Sequence, residues 1–179
     1  MSAGITPKLI LTGFMATGKS AVGRALAARL GRRFVDSDHE IVARAGKPIA
    51  RIFAEDGEAA FRRLEREVIA SLARAPEPAV IATGGGALVD DANYQALSRA
   101  GTIVALAARP EVIARRVSAS NVARPKLAEG NLPLERKIVE LMEARESAYA
   151  RAAITIDTSD LTVEAAAQRV LRALEGRGS

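Results

Sequence analysis

"KLILTGFMATGKSAVGRALAARL", Lys8 to Leu30, decides the fold. It opens as a short apolar run suited to a strand and closes on a helical pattern. Between them "GFMATGKS", Gly13 to Ser20, matches G-x-x-x-x-G-K-[ST]. A glycine-bounded turn that leads from a strand into a helix offers backbone N–H groups and a helix N-terminus to the phosphates of a nucleotide. Gly13 and Gly18 frame the turn, Ala16 and Thr17 fill its variable positions, and Ala21 carries it into the helix. Lys19 reaches the β- and γ-phosphates and Ser20 supplies an oxygen to Mg²⁺. ATP binding is therefore expected at residues 13–21.

Outward from this unit the same alternation continues. Lys8 to Thr12, Phe34 to Val35, Ala79 to Thr83, Thr102 to Leu106 and Ile154 to Ile156 read as strands. Lys19 to Leu30, Asp38 to Ala45, Glu58 to Leu72, Asn93 to Arg99, Pro110 to Val117, Leu134 to Arg151 and Val163 to Leu174 read as helices. Such alternation predicts an α/β protein with a mostly parallel sheet and ligands beyond the carboxyl ends of its strands. The connection "SASNVARPKLAEGNLP", Ser118 to Pro133, has no periodicity. Its length, composition and embedded Arg124 suit a lid.

Composition narrows the partners. The 179 residues suit one domain, and 49% apolar with 26% charged residues is ordinary for a soluble globular chain. With no cysteine there is neither a disulfide framework nor a thiolate metal site. No signal peptide or long apolar run stands out, so a cytoplasmic protein with no membrane partner is expected. A net charge of +5, carried mostly by arginine, suits an anionic partner. Nucleic acid is disfavoured, because four Phe, two Tyr and no Trp make few stacking platforms and there is no dense Lys/Arg block.

The second strand ends in "FVDSD". Asp36 stands where a carboxylate would complete a magnesium site with Ser20, and Asp38, two residues on, points toward the phosphoryl acceptor. "SDHE" also reads as a capping box, with Ser37 at the N-cap and Glu40 at N3. The only histidine, His39, reads as an exposed first-turn residue.

Two charges interrupt apolar stripes. Phe61, Leu64, Val68, Ile69 and Leu72 share a helix face that also contains Glu65, with Arg62 at its margin. Leu134, Ile138, Leu141, Met142 and Tyr149 share another, with Arg145 near its centre. A buried guanidinium needs an internal carboxylate or an anionic ligand, and the pattern leaves both open. The third strand ends in "TGGG": Gly84, Gly85 and Gly86 each cost backbone entropy, which implies close approach of something to bare backbone.

Taken together, "GFMATGKSAVGRALAARLGRRFVDSDHEI", "IARIFAEDGEAAFRRLEREV", "IATGGGALV", "ARPKL" and "MEARESAYARAA" resemble the shikimate kinases in order and spacing over nearly the whole chain. The resemblance implies a P-loop fold like that of nucleoside monophosphate kinases: a five-stranded parallel sheet of order 2-3-1-4-5. It implies one domain over residues 1–179, with a substrate-binding helical segment at about 37–62 and a lid at about 118–133. The implied activity is phosphoryl transfer from MgATP to the 3-hydroxyl of shikimate, a step toward chorismate and the aromatic amino acids. By the same resemblance Asp36 lies on the Mg²⁺ side, and Asp38 holds the shikimate hydroxyls. Arg62 and Arg145 clamp the carboxylate, with Glu65 orienting Arg62. The amides of Gly84, Gly85 and Gly86 face the substrate. Arg124 is the lid arginine at the transferred phosphoryl group, and Arg116 lies against the adenine. "DTSD" after the fifth strand borders the adenine.

Some positions depart from the family. Ala16 and Thr17 stand where Gly-Ala is frequent, and Lys126 replaces an apolar residue after "RP". The alternatives are a kinase for gluconate or a nucleoside monophosphate on the same scaffold, or a non-catalytic nucleotide-binding module. The first fits two arginines and a glycine turn less well than a carboxylated polyol does. The second is expected to have lost Lys19, Asp36 or Arg124, and all are present. A monomer is expected.

Overall fold

A computed structural model describes residues 7–120, 127 and 132–177. Five parallel strands form one sheet: β1 (Lys8–Thr12), β2 (Arg33–Asp36), β3 (Ala79–Ala82), β4 (Gly101–Ala107) and β5 (Ile154–Asp157), in the order β2-β3-β1-β4-β5. The helices are α1 (Lys19–Leu30), α2 (Ser37–Ala45), α3 (Ile49–Arg74), α4 (Asp91–Ala100), α5 (Pro110–Ser118), α6 (Leu134–Glu143), α7 (Glu146–Tyr149) and α8 (Val163–Glu175), with a 3₁₀ turn at Ala87–Val89. Class and strand order are those expected, and each expected strand is found, with ends shifted by a residue or so.

Side chains alternate across the sheet because a strand has a period of two. Leu9 and Leu11 of β1 join Val80, Val104 and Leu106 under α1 and α8, against Leu26, Val170 and Leu174. Ile10 faces the opposite way, with Ile81 and Ile103, onto Ile69, Leu88 and Leu97. Both faces are covered, as a parallel sheet requires. Beyond the carboxyl ends two smaller clusters support the site. One packs α2 on α3 through Ile41, Ile52, Phe61 and Val68. The other gathers Phe14, Val112, Ile113, Leu127 and Ile138. Among the described residues no helix is long and apolar enough to cross a membrane.

Three local expectations are corrected. The helix expected from Glu58 is found, but an unexpected helical segment, residues 49–56, precedes it within α3, set off by Gly57, whose φ of 83° and ψ of 169° no helix contains. The helix expected over Leu134 to Arg151 is broken. Arg145 N–H turns back to the Met142 carbonyl, and Arg145 sits at φ −115° and ψ −1° between α6 and α7. The N-cap of α2 is Asp36, not Ser37: Asp36 Oδ1 accepts from Asp38 N–H at 3.0 Å. Ser37 is fully buried and its hydroxyl accepts from Gly84 N–H at 3.0 Å, so it is unavailable as a cap.

Candidate active site

The phosphate loop is built from backbone strain and uncapped donors. Gly13 has φ 132°, and a methyl there would stand 2.1 Å from the Leu106 carbonyl oxygen, so only glycine lets the loop leave β1 beside β4. No side chain caps α1, which leaves its first N–H groups for an anion. Lys19 Nζ donates to the Gly13 and Phe14 carbonyls at 2.9 and 2.8 Å and so lies along the loop. Ser20 Oγ donates to Asp36 Oδ2 at 2.7 Å, which brings the two expected metal-side residues together across α1 and β2. Asp36 thus spends one oxygen on the cap of α2 and turns the other toward Ser20.

Behind the loop, Arg116 Nη1 donates to the Ala16 carbonyl and Nη2 to the Thr158 carbonyl, at 3.1 and 2.9 Å. Thr158 Oγ1 lies 2.9 Å from the Thr17 carbonyl. The "DTSD" turn and Arg116 therefore brace the back of the phosphate loop.

The glycine turn after β3 gathers the acceptor-side residues. A methyl on Gly84 would stand 2.8 Å from Asp38 Oδ1 and 3.2 Å from Glu65 Oε1. One on Gly85 would be 3.3 Å from Arg145 Nη1 and 3.4 Å from the Gly13 carbonyl oxygen. One on Gly86 would lie 3.2 Å from both Arg62 Nη1 and Nη2. None of the three has a positive φ, so the need is for room and not for dihedral freedom. The expectation that all three amides face the substrate is corrected for Gly84, whose N–H is taken by the Ser37 hydroxyl.

Charge and burial divide this group. Glu65, 1% exposed, accepts from Arg62 Nη1 at 2.6 Å. Burial pushes the Glu65 carboxyl up, against the pull of Arg62. Burial works against the charged form of Arg62, but Glu65 and Glu58 outweigh it and hold its pKa up. Asp38 Oδ1 is buried and without a hydrogen-bond partner. Burial raises the Asp38 pKa, Asp36 raises it further, and Lys19, His39 and Arg62 oppose both. A buried polar atom left unpaired calls for a ligand or a function. Arg145 is half-buried; its guanidinium lies 5.6 Å from the Phe14 ring centroid, and among the described residues no carboxylate pairs with it. Of the two alternatives left open for Arg145, the internal ion pair is not found among the described residues.

A family model described as shikimate kinase matches residues 15–175. The chain is a member of the shikimate kinase family. The shikimate kinase of Geobacter sulfurreducens is 48% identical over 156 residues, covering 87% of this chain and 84% of that one. That of Caldanaerobacter subterraneus is 43% identical over 172 residues, covering 94% and 98%. Among solved structures, the shikimate kinase from Acinetobacter baumannii in complex with shikimate matches with a TM-score of 0.89 at 36% identity, over 96% of this chain and 94% of that one. A gluconokinase from Sinorhizobium meliloti, at 18% identity and a TM-score of 0.63, shares the fold alone.

Within the phosphate loop, Ala16 carries a backbone cost. Ala16 is the one non-glycine residue with positive φ among the described residues, at 60°, a conformation that costs about 1–3 kcal/mol for a side-chain-bearing residue. The next residue, Thr17, donates its hydroxyl to the Phe14 carbonyl at 2.8 Å across the same turn. Arg124, Lys126 and most of the expected lid lie outside the described residues. Sequence reasoning missed Phe14, Ser37 and Tyr149. Only Phe14 left a signal, as a large apolar residue inside a phosphate loop.

Proposed function

We propose that this protein transfers the γ-phosphoryl group of ATP to the 3-hydroxyl of shikimate, giving shikimate 3-phosphate and ADP. The observation that carries the reading is the glycine turn: Asp38, Arg145 and Arg62 converge on three successive bare Cα atoms beside the phosphate loop. Two cations and a carboxylate in one recess suit an acceptor with a carboxylate at one end and hydroxyls at the other.

Phosphoryl transfer asks mainly for positioning and charge neutralisation. In this reading the loop amides and Lys19 hold the phosphates. Asp38 aligns the attacking hydroxyl and takes its proton, while Arg62 and Arg145 fix the carboxylate. Ser20 and Asp36 offer hard oxygen donors of the kind magnesium prefers. Among the described residues no group of three His, Cys, Asp or Glu side chains could hold a metal alone, so phosphate and water oxygens would complete the shell. Mg²⁺ bound there would supply charge neutralisation on the phosphates. Arg124, by the family resemblance, would approach the same phosphoryl group from the lid.

ADP release with shikimate and MgATP, set against the same assay without shikimate, tests the function; turnover that is independent of shikimate would overturn it. Arg145→Ala tests the clamp. It should raise the shikimate KM by roughly 30-fold, or about 2 kcal/mol for a lost charge-assisted pair, while leaving the ATP KM almost unchanged. An unaltered shikimate KM would remove Arg145 from the clamp.

A further inference from the structure

We infer that Tyr149 is a positioning residue for the acceptor, whose hydroxyl holds the Arg145 guanidinium against the glycine turn. The inference rests on the proposed role of Arg145 as a carboxylate clamp.

Tyr149 ends α7, one helical turn after Arg145, and its backbone N–H donates to the Arg145 carbonyl at 3.1 Å. Its ring packs against the cluster of Phe14, Val112 and Ile138. Its hydroxyl donates to the Gly85 carbonyl, 64 residues away in sequence. Arg145 Nη1 stands 3.3 Å from where a Gly85 methyl would be, so the guanidinium and this hydroxyl meet at one residue. A phenol has one O–H to donate and lone pairs to accept with. Giving its proton to Gly85 and receiving one from Arg145 are therefore compatible, and neither contact excludes the other. Burial raises the Tyr149 pKa, with Arg145 opposing, so the phenol stays a donor at neutral pH.

The geometry closes on one residue. Gly85 carries the carbonyl that Tyr149 binds and the bare Cα that Arg145 Nη1 approaches. Because α6 and α7 are separated at Arg145, helical continuity does not orient that side chain. Arg145 has no carboxylate partner among the described residues and an aromatic face at 5.6 Å, and the Tyr149 hydroxyl, bonded to the residue the guanidinium approaches, offers it a polar anchor. A packing role would need only the ring. A positioning role needs the oxygen.

Tyr149→Phe separates the two. The shikimate KM should rise about five- to tenfold, the size of one ordinary hydrogen bond. The ATP KM should stay within about twofold and the melting temperature within a few degrees. In an Arg145→Ala background the same substitution should add nothing, since it acts through a guanidinium no longer there. A wild-type shikimate KM in Tyr149→Phe, or an equal rise in both backgrounds, would overturn the inference while Arg145→Ala alone still reports on the clamp. Should the phenylalanine variant melt far below wild type, the methyl ester of shikimate gives the second reading. Without an anionic carboxylate, its calorimetric binding should be alike in wild type and variant. A loss for the ester as large as for shikimate would also overturn the inference.

Discussion

Asp38→Asn should lower kcat by about 10²- to 10⁴-fold, the usual contribution of a positioned general base, while changing the ATP KM little. Asp38 Oδ1 is buried, unpartnered and beside Gly84. Burial and then Asp36 hold the carboxyl above its ordinary range. Only the ionised form accepts a proton, so the acid limb of kcat/KM should lie above the pH at which a free aspartate titrates, and Asp38→Asn should abolish that limb. The stability sign runs opposite to the activity. A carboxyl whose folded pKa exceeds its unfolded value favours the fold at low pH, and that contribution is lost as pH rises through the folded pKa. At neutral pH the asparagine variant should therefore melt higher than wild type, an exchange of stability for activity. A loss confined to the shikimate KM would make Asp38 a binding residue and not a base.

Arg62→Ala should weaken both the fold and acceptor binding. It strips the partner from Glu65, which is 1% exposed. Breaking such a pair costs about 3–5 kcal/mol, and the lower end applies because the Arg62 side chain is itself 30% exposed. Unpaired and buried, Glu65 should then hold its proton to still higher pH, so the stability loss should be larger at pH 8 than at pH 5. Adding Glu65→Gln should restore most of the melting temperature and none of the shikimate affinity. Recovery of both would assign Arg62 to structure alone, and recovery of neither would show that the cation itself supports the fold.

The phosphate loop and the α/β alternation were legible because their signals are local: one strand, one glycine-bounded turn and one helix in sequence, repeated as alternating periods; the strand order, a non-local property, came only from the family resemblance. Glu65 and Arg145 were legible as charges inside apolar stripes, with Arg62 at the margin of the first. What escaped the sequence is non-local. The cap of α2 moved from Ser37 to Asp36 because a Gly84 N–H, 47 residues further on, claims the Ser37 hydroxyl. The break at Arg145 lies in "MEARESAYAR", which has neither Gly nor Pro to announce it. Tyr149 looked like one more member of an apolar stripe, since periodicity reports where a ring is buried but not what its oxygen touches. The triple glycine was legible as a close approach, yet the approaching atoms include this chain's own Asp38, Arg145 and Arg62.

That crowding limits how the site can change. Each Cα of the turn already borders a different working side chain, so a mutation at one glycine is also a mutation of its neighbour's position. Small stepwise enlargements of the recess floor are closed off. A lineage that shifted to a bulkier or differently charged acceptor would have to alter a glycine and the facing residue together, or rebuild the recess from the α2–α3 wall. Asp38 on α2 and Arg62 on α3 belong to that wall, so it can drift only around them, and the glycine floor should stay fixed for as long as the same three side chains meet on it.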